Sequence, residues 1–371
     1  MKQMIRVGLV GCGGIAQSQH LPGYLRTENV EIAALCDVNA TLLHRVAEQY
    51  SVTAWYSDYR ELLALPDLDA VDICTAPDSH FPIALAAIKA GKHVFCEKPL
   101  ALTYPEAKQL YDAAQAAGVV TGIGFVHRVT PAARLAHQLV SSGALGEIYS
   151  VMAIFSAGGA NYAAQPMRWR NQQQVAGAGA LFDLGSHMVD MVRWWLGQEI
   201  TTVSAQTRIF VPQRQWPNGA WATVDTDDAS TMMAGFAGGA MATFMNSFAA
   251  TGRGFDQRVE LYGSNGALIY DQATPFELAV CIGEEMLKLS AAAGFESRKK
   301  DPYPAMRVPE KLRDRWWTGG GSTRSLTPDF IAAIRGEEAL LPTFYEGMKV
   351  QEVLDAALLS VAQERWVRLP M

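Results

Sequence analysis

The chain has 371 residues, and at roughly 150 residues per domain this length predicts two domains. With 49% hydrophobic and 18% charged residues it can bury ordinary cores, which excludes a disordered chain. A net charge of −6 without any basic run argues against nucleic acid or an anionic membrane as partner, and no apolar stretch of roughly 18 residues is present to span a bilayer.

In chain order, Ile5 to Val10 reads as a buried strand and Ile15 to Arg26 as a helix. Glu31 to Cys36 is the next strand and Ala40 to Gln49 the next helix. The alternation continues with a strand at Ala70 to Cys74, a helix at Phe81 to Ala90 and a strand at His93 to Cys96. A helix at Tyr104 to Ala117 and a strand at Val119 to Ile123 complete it. Short apolar runs with intervening helices predict an α/β domain built on a doubly wound parallel sheet of Rossmann type. Such sheets hold ligands at the carboxyl ends of their strands. The run after Lys2 and Arg6 is short and enters glycines directly, so it reads as a first strand and not as a signal peptide.

Near residue 125 the rhythm changes. A helix at Ala132 to Ser142 and a strand at Ile148 to Phe155 lead into a Gly- and Ala-rich loop, then a helix at Leu181 to Leu196. From Thr202 to about Cys281 the pattern is almost all strand, including Met232–Phe236, Met241–Phe248, Arg258–Tyr262 and Ala267–Tyr270. Tight Gly-Gly and Ser-Asn-Gly turns separate them. This predicts a C-terminal α+β domain with a large, mostly antiparallel open sheet. Met232 to Phe248 is apolar on both alternating faces, which suits a sheet covered on one side by its own helices and on the other by a second subunit. A homodimer or homotetramer through that sheet is therefore expected. Glu284 to Gly321 reads as a long surface excursion, and helices at Pro328–Arg335 and Tyr345–Glu364 close the chain. The expected division is 1–124 and 125–371, with the last helices able to pack back on the first domain.

Five scattered cysteines, Cys12, Cys36, Cys74, Cys96 and Cys281, form no C-x-x-C pair. They read as small buried hydrophobes in a reducing, cytoplasmic compartment.

Four clusters can carry chemistry. Gly11-Cys12-Gly13-Gly14-Ile15-Ala16 lies between the first strand and the first helix and reads G-x-G-x-x-A. Gly11 permits a tight turn, Gly13 lets a pyrophosphate approach the backbone, and Ala16 permits close helix–strand packing. The helix N-terminus adds free N–H groups for phosphates. Asp37 ends the second strand about 20 residues later, where a carboxylate accepts ribose hydroxyls and repels a 2′-phosphate. NAD is thus favoured over NADP, since no Arg or Ser follows Asp37 directly. As a bland alternative, Asp37 also suits a turn or cap. Thr75-Ala76-Pro77-Asp78-Ser79-His80 follows the third main strand and faces the same crevice, or is a plain turn with Asp78 or Ser79 as a cap. Glu97-Lys98-Pro99 ends the next strand, where Lys98 can stabilise negative charge developing on a substrate oxygen, or can be a surface lysine. Asp183 and His187 stand at i and i+4 near the start of a helix, so they share a face. Histidine is the usual general base for an alcohol proton, while a core histidine with an N-cap aspartate fits the same spacing. No third ligand lies at helical spacing, so no metal site is expected.

Taken in order, these motifs resemble the Gfo/Idh/MocA oxidoreductase family nearly end to end. The resemblance rests on the G-x-G-x-x-A turn, the Thr75–His80 loop, Glu97-Lys98-Pro99 and Asp183-Leu184-Gly185-Ser186-His187. Trp169-Arg170 and the turn from Tyr262 to Gly266 resemble family features as well. The resemblance implies a nicotinamide-dependent dehydrogenase acting on a ring hydroxyl of a sugar, anhydrosugar or cyclitol, with Lys98, Asp183 and His187 as the catalytic set. It implies that Gly11, Cys12, Gly13, Gly14, Ile15, Asp37, Thr75, Ala76, Pro77, His80, Glu97, Lys98 and Arg170 line the cofactor. His127, Arg128, Tyr162 and Arg168 are candidates to touch substrate. The sequence departs from the family pattern at Gly177-Ala178-Gly179, at Asp78 and at Phe125-Val126-His127-Arg128. Two other readings stay open: a relative that keeps NAD bound and cleaves glycosides by transient oxidation, and a non-catalytic dinucleotide sensor.

Overall fold

The computed structural model describes residues 4–159, 162–284, 303–313 and 325–371. Its contacts divide the chain into two compact units. The first holds Met1–Val129, Gln174–Gly177 and Trp316–Gln351, and the second holds Thr130–Gln173, Ala178–Arg315 and Glu352–Met371.

The first unit is built on β1 (Ile5–Val10), β2 (Val30–Cys36), β3 (Trp55–Tyr56), β4 (Ala70–Ile73), β5 (His93–Cys96) and β6 (Thr121–Ile123). They form one sheet in the order β3-β2-β1-β4-β5-β6, with every pair parallel. All four residues of β4 are buried, as expected of a strand covered on both faces. Local chemistry marks the helix ends. Thr103 caps Tyr104–Ala117 by accepting from Glu106 N, Pro105 sits in its first turn, and Gly118 ends it in the left-handed region.

One expectation is corrected by the structure. Ile15 to Arg26 is not a single regular helix: a π-helical turn at Ala16–His20, closed by Leu21 N–H donating to Ala16 O, precedes a short helix at Leu21–Leu25. Pro22 has no N–H to continue the ordinary ladder, and the wider turn carries the backbone past it. The helix Thr327–Ile334 belongs to the first unit's core, where Phe330 is fully buried 5.6 Å from Phe95 in an edge-on contact.

The second unit is built on a nine-stranded sheet. Its strands are β7 (Ile148–Gly158), β8 (Ile200–Arg208), β11 (Ala229–Phe236), β12 (Met241–Ser247), β13 (Gly254–Gly263), β14 (Gly266–Asp271), β15 (Glu277–Ile282), β16 (Ala305–Arg307) and β17 (Val367–Arg368). A separate two-stranded ribbon joins β9 (Gln213–Gln215) to β10 (Trp221–Thr223). The sheet order is β16-β15-β14-β13-β7-β12-β11-β8-β17, antiparallel except for the central β7–β12 pair. Most of the surface excursion expected at 284–321 lies outside the described residues, but Ala305–Arg307 pairs with β15 and so forms a sheet edge.

Alternation gives the large sheet two different faces. Val151, Ala153, Phe155, Met232, Phe244 and Leu261 are buried, while Met152, Ile154, Met233, Met241 and Met245 on the opposite face are exposed, Met241 at 69%. The helices Pro131–Ser141 and Ser186–Leu196 pack in this unit, joined where Trp195 Nε1 donates to Ala133 O at 3.0 Å. Trp195 also meets Tyr270 of β14 edge-on at 5.6 Å. Among the described residues no helix is long and apolar enough to cross a membrane.

Candidate functional site

In the first unit the strand order reverses between β1 and β4, and the chemistry collects at their carboxyl ends. Gly11 follows β1 with φ +95°, and a Cβ there would lie 2.7 Å from the Cys74 carbonyl carbon and 2.8 Å from Thr75 N. Only glycine satisfies both the dihedral and the approach. By contrast, a Cβ at Gly13 or Gly14 would meet nothing within 4 Å, so the backbone there is bare toward open space. A pyrophosphate needs such an approach, so the turn fits a dinucleotide. Ala16 is fully buried.

Asp37 fastens the turn to β2. Its Oδ2 accepts Cys12 N at 2.7 Å and its Oδ1 accepts Asn39 N at 2.8 Å. Each oxygen keeps further lone-pair capacity for a ribose hydroxyl. Burial, with Asp37 and Cys36 beside it, pushes the Cys12 thiol up to about 12, so it stays protonated and is no nucleophile.

The loop after β4 is braced internally. Ser79 Oγ lies 2.8 Å from Thr75 Oγ1 and 2.9 Å from Ala76 O, both within hydrogen-bond reach, and Pro77 opens a 3₁₀ turn at Pro77–Ser79. The buried His80 ring lies 2.7 Å from Pro99 O and 3.1 Å from Thr75 O, and burial lowers its pKa. His80 therefore ties this loop to the one after β5. Glu97 is buried too, with Oε1 3.0 Å from His20 Nε2 and Oε2 accepting Lys98 N at 3.2 Å. The carboxylate is committed to the protein's own groups. Lys98 is half-buried, and the Lys98–Pro99 peptide is cis. His127 and Arg128 lie buried in a 3₁₀ turn at Val126–Val129.

In the second unit the expected helix at Leu181 opens as a π-helical turn, Leu181–Gly185, before the regular helix Ser186–Leu196. Asp227 holds that start: its carboxylate accepts Gly179 N at 2.7 Å and Leu181 N at 2.9 Å. These are amides that the first turn leaves without helical partners. Burial raises the Asp227 pKa to about 6 against the pull of these two bonds. Asp183, in the π-helical turn, faces Arg170 with Nε at 3.4 Å from Oδ2, and the Arg170 guanidinium stacks over Trp169 at 4.1 Å. His187 is 6% exposed, with the Phe155 ring centred 6.2 Å away. Asp190, one turn further along the helix, is buried.

The structure gives Tyr162 internal partners. Its hydroxyl donates to Asp228, Arg214 stacks over its ring at 4.5 Å, and Arg214 Nη1 donates to the Tyr162 and Gln165 carbonyls at 2.9 and 2.8 Å. Asp228 Oδ2 also accepts Phe210 N and Val211 N. Burial followed by Asp228 raises the Tyr162 pKa. Arg168 is exposed and donates to Gln165 Oε1 at 2.8 Å. Sequence reasoning missed Asp227, Asp228 and Arg214, and it missed His20 and Asp72 beneath the first-unit loops. The one available signal is Asp72, an acid inside a wholly apolar strand.

The family model described as "Oxidoreductase family, NAD-binding Rossmann fold" matches residues 5–125, and "GFO/IDH/MocA C-terminal domain" matches residues 133–269. The chain is 30% identical to the levoglucosan dehydrogenase of Pseudarthrobacter phenanthrenivorans over 99% of each chain. It is also 30% identical to the myo-inositol 2-dehydrogenase of Thermotoga maritima, over 72% of this chain and 75% of that one. Among solved structures, levoglucosan dehydrogenase in complex with NADH and L-sorbose superposes with a TM-score of 0.87 at 29% identity, covering 100% of both chains.

A carboxyl whose folded pKa lies above its unfolded value favours folding most when both states are protonated. For Asp227 that contribution is lost as pH rises from about 4 through about 6. Asp227→Asn has no such titration. Urea unfolding of both proteins at pH 4.5 and pH 7 should show wild type losing about 2 kcal/mol relative to the variant across that window. Parallel changes in the two proteins would refute this assignment.

Proposed function

The chain belongs to the Gfo/Idh/MocA family of oxidoreductases with an NAD-binding Rossmann domain, and from this membership we propose that it is a dehydrogenase of a sugar, anhydrosugar or cyclitol ring hydroxyl. The observation that carries the proposal is the bare backbone over Gly13 beside the Asp37 carboxylate, at the reversal of a parallel sheet. The names of the relatives, levoglucosan and inositol dehydrogenases, supply the substrate class.

The turn Gly11 to Ile15, with Asp37, Thr75, Ala76 and Pro77, would hold the dinucleotide. When bound, it supplies a hydride acceptor at C4 of its nicotinamide. His187 takes the hydroxyl proton on its imidazole, and Lys98 Nζ donates a hydrogen bond to the oxygen as it becomes a carbonyl. Asp183, held by Arg170, orients His187 and the substrate. NAD is preferred to NADP because a 2′-phosphate would bring negative charge against Asp37. We assign the cytoplasm on the buried free thiols of Cys12, Cys36, Cys74 and Cys96. The exposed apolar face carrying Met152, Ile154, Met233, Met241 and Met245 supports a homodimer or homotetramer through the C-terminal sheet.

The test is absorbance at 340 nm with NAD against sugars, anhydrosugars and inositols. Reduction with one compound is expected, with Lys98→Ala and His187→Ala each lowering kcat by about 10²- to 10⁴-fold. Full activity in both variants would overturn the mechanism. No reduction, with NAD retained on the protein, would point instead to a glycoside hydrolase using transient oxidation. Asp37→Ala should weaken NAD binding roughly tenfold and narrow its lead over NADP, and unchanged calorimetric affinities would remove Asp37 from the cofactor site. Light scattering at micromolar concentration should give a dimer or tetramer, and a monomer would refute the sheet interface.

A further inference from the structure

The strongest unassigned feature is a buried polar cluster beneath the loops of the first unit. His20 ends the π-helical turn after β1, Asp72 lies within β4, and Glu97 follows β5. The His20 ring is 2% exposed and Asp72 is fully buried. Nδ1 of His20 stands 2.8 Å from Asp72 Oδ2, and Nε2 stands 3.0 Å from Glu97 Oε1. A neutral imidazole donates from one nitrogen only, so one contact would set a lone pair against a carboxylate. Two good contacts require both ring nitrogens to carry protons. The ring is fixed edge-on against Phe95, with centroids 5.4 Å apart.

The cluster extends on both sides. Cys74 Sγ donates to Asp72 Oδ1 at 3.4 Å, and Glu97 Oε2 accepts Lys98 N at 3.2 Å. On the outer side Gly124 leaves room for the Glu97 carboxylate, because a Cβ there would lie 2.6 Å from Oε1. Each carboxylate oxygen of Asp72 and Glu97 thus has a donor. One cation serves two buried anions, the condition under which buried charges are tolerated.

His20, Asp72 and Cys74 also have the residue types of a metal site, with ligand atoms within 4.8 Å of one another. The distances favour hydrogen bonding. Ligands on opposite edges of a tetrahedral ion, each about 2.0–2.3 Å from it, stand more than about 3 Å apart, whereas His20 and Asp72 are in direct contact at 2.8 Å. Burial and Asp72 raise the Cys74 pKa, which keeps the thiol protonated and unsuited to a metal.

We propose that His20 is a positioning residue: bridging Asp72 and Glu97 through its two ring nitrogens, it fixes the Glu97–Lys98–Pro99 turn and thereby the backbone from which Lys98 projects. The proposal rests on the dehydrogenase reading for the role of Lys98, but the bridge itself does not. Three titratable groups face the ring, Asp72, Cys74 and Glu97, and the buried Tyr24 stands beside Asp72 and Cys74. Burial works to lower the His20 pKa, yet the Asp72 carboxylate outweighs it and the pKa is raised well above the usual value. Burial likewise works to raise the Glu97 pKa, while His20 and then Lys98 bring it below the ordinary range. The bridge therefore holds at neutral pH and weakens as pH rises and the imidazolium gives up its proton.

The test joins a spectrum to a double-mutant cycle. In ¹⁵N-histidine NMR the His20 signals, picked out from the chain's seven histidines by their loss in His20→Gln or shift in Glu97→Gln, should be those of an imidazolium from pH 6 to 8. Glutamine carries both N–H donors on one nitrogen and cannot span the two carboxylates as the two ring nitrogens do, so His20→Gln should lower kcat about 10- to 100-fold, with sugar KM and NAD affinity within about threefold. Glu97→Gln should repeat the kcat loss while keeping the His20–Asp72 contact. In a Lys98→Ala background neither substitution should lower kcat further. A neutral His20 at pH 7, or a loss that multiplies in the Lys98→Ala background, would overturn the proposal. If the unmodified protein oxidises no sugar, the dehydrogenase reading fails while the histidine spectrum still decides the bridge.

Discussion

At the reversal of the parallel sheet two backbones must pass within van der Waals contact. Gly11, with φ +95°, lies against the main chain of Cys74 and Thr75, and no side chain is possible there. That approach sets the end of β1 beside the end of β4 and turns the Gly13 and Gly14 backbone toward open space. It also brings Cys12 N onto Asp37. The loops after β2, β4 and β5 are then arranged around a common cradle, each tied by polar contacts specific to it. Asp37 secures the first, Ser79 braces the second, and His80 joins the second to the third through Pro99 O.

Below that cradle lies an ionic layer. A parallel strand buried on both faces has little reason to carry an acid, yet Asp72 sits in the middle of β4. Its charge is tolerated because the π-helical turn after β1 delivers His20 to it. Glu97 shares the same imidazolium and passes its second oxygen to the Lys98 amide. The second unit uses the same economy of means with opposite polarity: there a carboxylate, Asp227, receives the otherwise unpartnered amides at the start of the helix bearing Asp183 and His187. In both units the residues expected to do chemistry stand on backbone that buried carboxylates restrain.

Much of this was legible in the sequence, for identifiable reasons. Apolar runs of four to six residues with helices between them specify a parallel sheet because both faces must be buried, and the six strands follow that pattern except for the short β3. The glycine turn is readable because its constraint is local, within a few residues of Gly11. What sequence could not supply is long-range pairing. His20 and Asp72 are 52 residues apart and Gly179 and Asp227 are 48 apart, so neither pair has a local signature. The π-helical turns escape a 3.6-residue periodicity because they depart from it for only five residues. Tyr162 looks like a site residue by its polarity and position, and only the fold reveals that Asp228 and Arg214 engage it. The return of Thr327–Ile334 to the first unit depends on Phe330 meeting Phe95, a contact 235 positions distant that composition cannot encode.

In the proposed reaction a ring carbon of a sugar or cyclitol gives its hydrogen directly to the nicotinamide. The most direct measurement is the mass of the dinucleotide recovered after incubating the protein with NAD and a substrate deuterated at its ring carbons. Direct transfer should yield a reduced dinucleotide carrying one deuterium, formed in step with the keto product. Unlabelled reduced dinucleotide, or a product formed while all the NAD remains oxidised, would contradict it.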